Sequence, residues 1–579
     1  MDWKKEYHKW VNFSDLKEEH QNQLKVLSKN KNNHELEDCF YTHLEFGTGG
    51  MRGKIGTGPN RMNIYTIRRA AEGLAQYIVS NGDSAKEKGV VIAYDSRHKS
   101  YEFAIETAKT LGNHNIQAYV FEDIRSTPEL SFAVRYLNTF SGVVITASHN
   151  PSIYNGFKVY GSDGAQYANE EADQIVQYVN RIEDELHISV KEETTLKQTG
   201  MLKIIGQDVD NAYQAQLQSI ILDPDMLQQT AEKLRIVYTP LHGTGNTPVR
   251  RALALAGFTN VESVEEQALP NGDFPTVEFP NPEEASAFSL AIEYGKNNNA
   301  DILMATDPDA DRVGIAIRKD DTFQLLTGNQ IGAILLDYMM KTKYKNHTLP
   351  KNGVILKTIV TSELGKQIAK EYGVETIDVL TGFKYISANI KAFEQNKNHS
   401  FLFGYEESHG YLISDFVRDK DAVQTCLLLS EAAAYYQSIN KSILDILEEI
   451  YEQYGYYQED LVSLTLEGKQ GTEQINQILT GFREKPPQAI ATKEVLIIED
   501  YLVGESVHHQ TNQTEKIYLP KSNVLKFKLQ GGAWICLRPS GTEPKIKIYF
   551  GVKEDTFAES RDTLESLKDA IMEKVNNFI

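Results

Sequence analysis

Basic residues are in the minority in this sequence, which limits the partners that it can have. Lysine and arginine number 60 against 80 aspartates and glutamates, so the formal net charge is −20. Nucleic acids and anionic membranes attract a basic surface, so neither is expected as a partner. A small anionic substrate remains compatible with this charge, because a local group of cationic side chains can bind a phosphate within an acidic protein.

Cysteine is scarce and long apolar runs are missing. The three cysteines, Cys39, Cys426 and Cys536, lie far apart without metal-ligand spacing, which argues against a disulfide scaffold. No stretch approaches the roughly 20 apolar residues that span a bilayer, and the first residues lack the apolar core of a signal peptide. We therefore expect a cytoplasmic enzyme, either a monomer or a dimer.

Most of the sequence alternates short β-rich runs with longer amphipathic segments. The runs are apolar on both faces of the pleat, as in buried strands of mixed or parallel sheets. They are residues 89–94, 142–146, 234–238, 302–305, 354–360 and 401–403. Helix-like segments, such as 286–294 and 330–340, lie between them. This alternation predicts an α/β fold with three related α/β domains.

The C-terminal part has a different pattern. Alternating strands are expected over 524–552 and a helix over 563–575, which makes this part an α+β domain; the polar stretch 504–516 is expected to be an exposed loop within it. Since 579 residues exceed the usual size of one hydrophobic core, we expect several domains. The repeated strand-then-loop pattern indicates three α/β domains that each offer a loop to one cleft, and the C-terminal part adds a fourth domain. Their expected bounds are 1–205, 206–318, 319–453 and 454–579, and each contains one of the four polar loops considered next.

Ser148 follows a predicted buried strand, in the loop Thr146-Ala147-Ser148-His149-Asn150-Pro151. Its neighbours are small or turn-forming, so the hydroxyl can be exposed. A capping serine, a hydrolase nucleophile and a phosphoryl carrier all fit this position. The Gly-x-Ser-x-Gly elbow of one hydrolase class is absent, and a histidine adjacent in sequence need not act as the base. This loop alone leaves the three interpretations open.

Three aspartates occupy alternate positions in the loop Asp307-Pro308-Asp309-Ala310-Asp311-Arg312. Carboxylates spaced in this way can converge on one hard cation. An EF-hand loop begins similarly, but it needs glycine at its sixth position and glutamate at its twelfth, where this sequence has Arg312 and Arg318. We therefore predict a Mg²⁺ site at Asp307, Asp309 and Asp311, with room left for a phosphoryl oxygen.

Two further loops carry polar groups suited to a phosphosugar. Residues 404–410 combine carboxylates with a serine hydroxyl and can bind sugar hydroxyls, although a charged surface turn would look the same. In the loop that begins at Arg538, Ser540, Thr542 and the Gly541 N–H can form a donor nest for phosphate; a hairpin turn is the alternative. Together the four loops indicate phosphoryl transfer on a phosphosugar.

At this point the sequence resembles the α-D-phosphohexomutase superfamily, and within it the phosphoglucomutase/phosphopentomutase branch. The four loops occur in the family order, and the resemblance covers nearly the whole chain. Its most specific motifs are residues 146–151 and 307–312, supported by 46–53, 381–384 and the loop at Arg538. The sugar loop has His409 before Gly410, the reverse of some phosphomannomutase-like relatives, which favours the glucose and pentose branch.

The resemblance implies roles for individual residues. Ser148 corresponds to the phosphoserine, and its phosphate oxygen joins Asp307, Asp309 and Asp311 in binding Mg²⁺. The residues implied to surround the reacting phosphate are Arg52, His149, Lys158 and Arg312. Lys384 matches a lysine near the sugar-binding loop, and Lys158 and Lys384 are the candidate general bases. Glu406 and Ser408 correspond to residues that bind sugar hydroxyls. The residues implied to anchor the phosphate that is not transferred are Arg538, Ser540, Gly541 and Thr542.

The implied reaction is the reversible interconversion of α-D-glucose 1-phosphate and glucose 6-phosphate, with glucose 1,6-bisphosphate as intermediate and activator. Pentose or mannose phosphates are alternative substrates. A non-catalytic sugar-phosphate sensor and a metal-dependent phosphatase are alternatives of other classes. A sensor would not need a transferable phosphoryl group, and a phosphatase would release inorganic phosphate as fast as it isomerises the sugar.

Overall fold

The computed structural model describes residues 2–29, 33–47, 49–466, 468–540 and 545–577. Contacts between Cα atoms divide the chain into two compact units. The first comprises residues 1–328, 383–404 and 408–440, and the second comprises residues 329–382, 405–407 and 441–579.

A mixed sheet forms the N-terminal part of the first unit. The elements of this part are α1 (Trp3–Val11), α2 (Glu18–Lys29), α3 (Asn33–Phe40), β1 (Met51–Lys54), α4 (Ile64–Ser80), α5 (Asp83–Lys88), β2 (Val90–Tyr94), α6 (Ser100–Asn113), β3 (Ala118–Phe121), α7 (Thr127–Tyr136), β4 (Ser141–Ile145), β5 (Tyr154–Gly161), α8 (Asn169–Asn180), α9 (Glu193–Gln198) and β6 (Leu202–Ile205). The strand order is β1-β5-β4-β2-β3-β6. β2 pairs in parallel with β3 and β4, whereas β5 is antiparallel to β4. Every residue of β2 and β4 is buried, as their apolar sequences predict.

A second mixed sheet follows in the same unit. Its elements are α10 (Gln207–Leu217), α11 (Pro224–Thr230), β7 (Ile236–Thr239), α12 (Asn246–Leu255), β8 (Val261–Ser263), α13 (Glu265–Ala268), α14 (Ser289–Asn297), β9 (Ile302–Thr306), β10 (Val313–Lys319) and β11 (Thr322–Leu325). The order is β11-β10-β9-β7-β8. β7 and β9 are parallel, whereas β9 and β10 form an antiparallel hairpin. The aspartate loop is the turn of this hairpin.

The next part of the chain contributes to both units. Its elements are α15 (Gly328–Lys345), β12 (Gly353–Thr358), α16 (Leu364–Glu371), β13 (Glu375–Val379), α17 (Phe383–Asn396), β14 (Ser400–Glu406), β15 (Gly410–Leu412), α18 (Ala422–Ser438) and α19 (Ile443–Tyr454). In the second unit, β12 and β13 pair in parallel. In the first unit, α18 is buried along nearly its whole length and packs on α11 and α12. A helix that is apolar on all sides is expected in such an interior position.

The C-terminal part of the second unit is an antiparallel sheet with helices on one face. Its elements are β16 (Tyr456–Thr465), α20 (Gly468–Glu484), β17 (Ala489–Ile490), β18 (Lys493–Asp500), β19 (Glu505–His508), β20 (Thr514–Lys516), β21 (Leu525–Leu529), β22 (Trp534–Pro539), β23 (Lys545–Glu554) and α21 (Phe557–Asn576). The main order is β16-β23-β22-β21-β18-β19-β20. Apolar residues of β21, β22 and β23 pack with α20 and α21 into a separate core.

The predicted α/β class, with a C-terminal α+β part, is confirmed. Each predicted β-rich run contains a strand, with shifted ends, and α15 and α21 contain the segments predicted as helices. The prediction for residues 504–516 was wrong. This stretch pairs as the hairpin β19–β20, with Ser506 opposite Glu515. Its polar side chains hid the strands, because an edge hairpin needs few apolar residues to form backbone hydrogen bonds.

Candidate functional site

Ser148 lies in the turn between β4 and β5 with a left-handed backbone, at φ 52°. Its N–H donates to Thr146 Oγ1 at 2.8 Å, which stabilises a conformation that few non-glycine residues adopt. The Ser148 hydroxyl donates to Asp307 Oδ2 at 2.7 Å and lies 3.1 Å from His149 Nδ1. The turn therefore aims the hydroxyl of the first sheet at the aspartate loop of the second.

Arg97 fixes the backbone of this turn. Its guanidinium donates to the carbonyl oxygens of Ser148 at 2.6 Å, Pro151 at 2.8 Å and Tyr154 at 3.1 Å, and also to that of Asn150. Sequence reasoning missed Arg97, although it belongs to the same pattern of polar residues directly after a buried strand, here β2. A planar group with five donors can hold several carbonyl oxygens in one geometry.

Asp95 neutralises this buried guanidinium. Arg97 Nε lies 3.4 Å from Asp95 Oδ2, and both side chains are completely buried. The other carboxylate oxygen of Asp95 accepts from the Arg97 N–H and the Ser100 hydroxyl. The charge that fixes the serine turn is thus itself paired inside the protein.

Asp307, Asp309 and Asp311 converge as the sequence predicts. One carboxylate oxygen from each lies within 4.8 Å of the other two, and all three residues are buried. Asp307 Oδ1 accepts the N–H groups of Asp311 at 3.1 Å and Arg312 at 3.0 Å, which closes the turn. The carboxylates therefore face one another because the backbone of the loop folds around the first of them.

Two lysines approach these carboxylates. Lys158 of β5 donates to Asp309 Oδ2 at 2.7 Å and lies 3.5 Å from Asp311 Oδ2. Lys420 Nζ, just before α18, lies 3.1 Å from both Asp311 Oδ2 and Asp419 Oδ1. Lys420 is a second residue that sequence reasoning missed. The charged run Arg418-Asp419-Lys420-Asp421 at a helix start was a usable signal.

The pKa values within the cluster diverge. Burial, together with the neighbouring Asp309 and Asp311, raises the pKa of Asp307 well above its ordinary value. Burial alone would also raise the pKa of Asp311, but Lys420 and Lys158 outweigh it, and the net pKa is lowered. Three carboxylates this close cannot all ionise without further positive charge.

The donor set fits a hard divalent cation. The Oδ1 atoms of Asp309 and Asp311 are buried, and neither accepts a hydrogen bond from any residue that the structure describes. Buried carboxylate oxygens without donors are costly unless another charge neutralises them. All-oxygen ligation by carboxylates is typical of Mg²⁺ and Ca²⁺ sites.

The glycine-rich loop 239–245 supports the aspartate loop instead of contributing reactive groups. The Thr244 N–H and hydroxyl both donate to the Pro308 carbonyl, at 2.8 and 2.9 Å. A Cβ on Gly243 would lie 2.4 Å from Pro308 Cα, so only glycine allows this approach.

Arg52, His149 and Arg312 surround the same centre. Arg52 donates to Asn150 Oδ1 at 2.8 Å, and Arg312 pairs with Glu283. Burial, Arg312 and Arg52 lower the pKa of His149 well below its ordinary value, so its imidazole is neutral at pH 7. The structure thus brings the predicted Ser148, Arg52, His149, Lys158, Arg312 and the three aspartates together.

Lys384 occupies a different environment. It lies at the start of α17, with Nζ 5.2 Å from the centre of the Tyr385 ring, and lines a cavity of about 270 Å³ with Gln166 and Lys391. Burial lowers the pKa of Lys384, and Asp173 partly offsets this.

The sugar loop places two glutamates in the second unit. Glu406 is buried and accepts the Gly382 N–H at 2.9 Å, while Ser408 lies in the following turn, partly exposed. Glu407 accepts from the hydroxyls of Thr358 at 3.2 Å and Thr361 at 3.3 Å. Burial and the neighbouring Glu406 raise the pKa of Glu407. Lys547 and Arg538 lower it by less, so the net pKa is raised. Sequence reasoning gave Glu407 no role.

The predicted phosphate loop follows β22. Arg538 lies 3.5 Å from the Tyr549 hydroxyl, and the Ser540 N–H donates to the Lys545 carbonyl at 2.7 Å. Lys547 is directly opposite Arg538 on β23, so the two cations share one face of the sheet. Gly541 and Thr542, as well as Thr48 of the 46–53 motif, lie outside the described residues.

Across the part of the chain that the structure describes, we find no helix with both the length and the apolar character needed to cross a membrane.

Comparisons with known proteins agree across the chain. Residues 43–186, 211–320 and 327–454 match the alpha/beta/alpha domains I, II and III of the phosphoglucomutase/phosphomannomutase family, and residues 491–574 match its C-terminal domain. The phosphoglucomutase of Staphylococcus aureus (strain USA300) is 41% identical over 547 residues, which cover 94% of each chain. That of Staphylococcus epidermidis (strain RP62A) is 40% identical over 557 residues, covering 96% of this chain and 97% of the relative.

A solved structure has the same fold. It is the open form of the exocytosis-sensitive phosphoprotein pp63/parafusin (phosphoglucomutase) from Paramecium, with a TM-score of 0.69 at 19% identity; the match covers 93% of this chain and 96% of the other.

Proposed function

Since this chain belongs to the phosphoglucomutase/phosphomannomutase family, we propose that it interconverts α-D-glucose 1-phosphate and glucose 6-phosphate. The observation that carries this proposal is the hydrogen bond of the Ser148 hydroxyl to Asp307 at 2.7 Å, inside a buried group of three aspartates. A serine in this position can hold a phosphoryl group next to a cation site. Pentose and mannose phosphates are less favoured, because the relatives with 40% and 41% identity are phosphoglucomutases.

In the proposed cycle, Ser148 is phosphorylated at rest. The bond between phosphorus and Ser148 Oγ breaks, and the phosphoryl group bonds to a free hydroxyl of the sugar monophosphate. The proton of that hydroxyl passes to a base, and Ser148 Oγ regains a proton, which gives glucose 1,6-bisphosphate. After the bisphosphate turns round, the bond between its other phosphorus and the sugar oxygen breaks, and that phosphoryl group bonds to Ser148 Oγ. The serine proton passes through the base to the sugar oxygen, and the sugar monophosphate product leaves.

The site groups mainly position atoms and neutralise charge, as a loose phosphoryl-transfer transition state requires. The proposed ligands of Mg²⁺ are Asp307, Asp309, Asp311 and a phosphate oxygen on Ser148. The ion would neutralise charge on the transferred group. Arg52, Arg312 and Lys420 are the proposed cationic contacts. His149, with its lowered pKa, orients the Ser148 oxygen as a neutral imidazole.

Lys158 and Lys384 differ as candidate general bases. A base must be deprotonated when it accepts the sugar proton. Burial would lower the pKa of Lys158, but Asp309 and Asp311 outweigh burial, so the net pKa is raised. Burial lowers the pKa of Lys384. We therefore propose that Lys158 neutralises phosphate charge, since its raised pKa makes it a poor base, whereas the pKa of Lys384 is shifted in the direction that a base requires.

The remaining predicted residues are proposed to bind without reacting. Glu406 and Ser408 would bind sugar hydroxyls. The phosphate that is not transferred would be bound by Arg538, Ser540, Gly541 and Thr542. For the chain as a whole we propose a cytoplasmic monomer or dimer with four domains, over 1–205, 206–318, 319–453 and 454–579, and glucose 1,6-bisphosphate as activator.

Intact-mass measurement with peptide mapping tests the carrier role. The protein as purified is expected to carry one phosphate, on the peptide with Ser148. Rates with glucose, mannose, glucosamine and ribose 1-phosphates then test the substrate, with kcat/KM expected to be highest for glucose 1-phosphate. Phosphate release at a rate comparable with isomerisation would instead indicate a phosphatase, and a Ser148 that never carries phosphate would contradict the mechanism.

A further inference from the structure

One face of the C-terminal sheet carries a row of polar side chains. Lys526 of β21 pairs with Cys536 of β22, and Arg538 lies two residues further along β22, opposite Lys547 of β23. Because residues two apart on a strand share a face, Lys526, Arg538 and Lys547 point to the same side. The other face packs against α20 and α21, so this polar face is the one available to the rest of the second unit.

Lys526 anchors this face to the segment after β12. Its ammonium donates to the Ile359 carbonyl at 2.6 Å and lies 4.6 Å from the centre of the Trp534 ring. The residue is only 4% exposed. Among the described residues, no carboxylate lies within ion-pair distance of it. A buried ammonium held by a carbonyl and an aromatic ring is costly, so simple packing does not account for it.

A second anchor on the same face holds the other end of that segment. Ser463 is opposite Lys547, so Glu459, four residues earlier on β16, also points to this side. Glu459 Oε2 accepts from Asn329 Nδ2 at 3.1 Å, and Asn329 Oδ1 accepts the Ser362 N–H at 3.1 Å. Residues 359–362 are therefore attached to the sheet at both ends.

The same segment contacts the sugar loop. The hydroxyls of Thr358 and Thr361 donate to Glu407 Oε2, and Glu407 directly follows Glu406. The segment thus joins the sheet face that carries Arg538 to the loop that carries Glu406, through hydrogen bonds and backbone alone.

We infer that Lys526 is a positioning residue for substrate binding: by holding residues 359–362 against the sheet, it sets the placement of Arg538 relative to Glu406 and Glu407. This inference rests on the proposed function, in which Arg538 binds the phosphate that is not transferred. Lys526 itself need not touch the substrate. Its loss should therefore weaken sugar-phosphate binding and leave phosphoryl transfer at Ser148 largely intact.

Lys526→Met keeps the length and apolar stem of the side chain but removes the donor. We expect KM for glucose 1-phosphate to rise about 10-fold, the loss typical of one hydrogen bond from a charged group, with kcat nearly unchanged.

Lys528→Met is the matched control, since Lys528 lies on the same strand and face but pairs with Glu499 within the sheet. Its KM is expected to match the wild type. Lys526→Gln, which keeps an N–H donor, should recover part of the loss.

Two further measurements separate positioning from general damage. In the double variant Lys526→Met/Arg538→Ala, KM should equal that of Arg538→Ala alone, because the anchor acts through Arg538. Amide hydrogen exchange over residues 359–362 should speed up in Lys526→Met but not in Lys528→Met. An inactive wild type would contradict the proposed function. This inference would be overturned, with the proposed function still standing, if the wild type is active but KM is the same in Lys526→Met and Lys528→Met. Fully multiplicative effects on KM in the double variant would overturn it in the same way.

Discussion

The serine–aspartate centre of the first unit and Arg538 of the second unit differ in the contacts that the protein itself supplies to them. Ser148 has hydrogen bonds at its amide, carbonyl and hydroxyl, and each aspartate is bonded to a backbone or side-chain donor. Arg538, by contrast, has the Tyr549 hydroxyl near it at 3.5 Å. In the proposed mechanism, the groups that react are positioned in advance, whereas a group that only binds phosphate would keep donors for the ligand.

The two parts of the serine–aspartate centre are themselves fixed in different ways. The aspartate loop is the turn of an antiparallel hairpin, so its own N–H groups fold back on Asp307. The serine turn instead depends on Arg97, a residue from another strand end. The centre therefore has one part that the local sequence determines and one part that depends on tertiary structure.

The largest expected effect comes from removing the reacting atom. Ser148→Ala should lower kcat by at least about 10⁴-fold, since the proposed mechanism uses the Ser148 hydroxyl as the phosphoryl carrier. Folding should be intact, because alanine keeps the backbone N–H and carbonyl that hold the turn. Steady-state kinetics with glucose 1-phosphate, together with circular dichroism, measure both effects. Ser152→Ala, in the same turn, is the control and should remain active. A Ser148→Ala protein with wild-type turnover would remove the basis for treating this centre as reactive.

A smaller but broader loss is expected at Arg97. Arg97→Met leaves Asp95 as a buried unpaired charge, which should cost about 3–5 kcal/mol of unfolding free energy. Releasing the serine turn should also lower kcat, about 100-fold for a displacement near 1 Å. Urea unfolding and kinetics report the two effects.

Arg235→Met is the matched control for Arg97→Met. Arg235 pairs with Asp301 at 3.1 Å but is about half exposed, so the cost should stay under about 1 kcal/mol. If Arg97→Met lost no more stability and activity than Arg235→Met, the serine turn would be rigid without the arginine, and the contrast between the two regions would need another cause.

The sequence predicted the parts of this protein that local residues determine and missed the parts that depend on tertiary contacts. Buried strands such as β2 and β4 and the loops after them could be predicted, because apolar runs and turn residues are local signals. Arg97 and Lys420 were not assigned, because the partners that define their roles, Ser148 for Arg97 and Asp311 for Lys420, are 51 or more residues away. Lys526 was missed for the same reason, since its partner is a backbone carbonyl that no motif marks. Lys384 was grouped with the reactive residues by resemblance, and the structure places it at the start of α17, beside the cavity that Gln166 and Lys391 also line.

The smallest expected effect tests the less constrained region. Arg538→Ala should raise KM for glucose 1-phosphate about 10- to 100-fold with little change in kcat, because removing an interaction that the ground and transition states share equally affects KM first. Arg561→Ala, an exposed position in the same C-terminal part, serves as control and should leave both constants unchanged. If Arg538→Ala instead lowered kcat as steeply as Ser148→Ala, Arg538 would act in the transition state, and advance positioning would no longer separate reacting groups from binding groups.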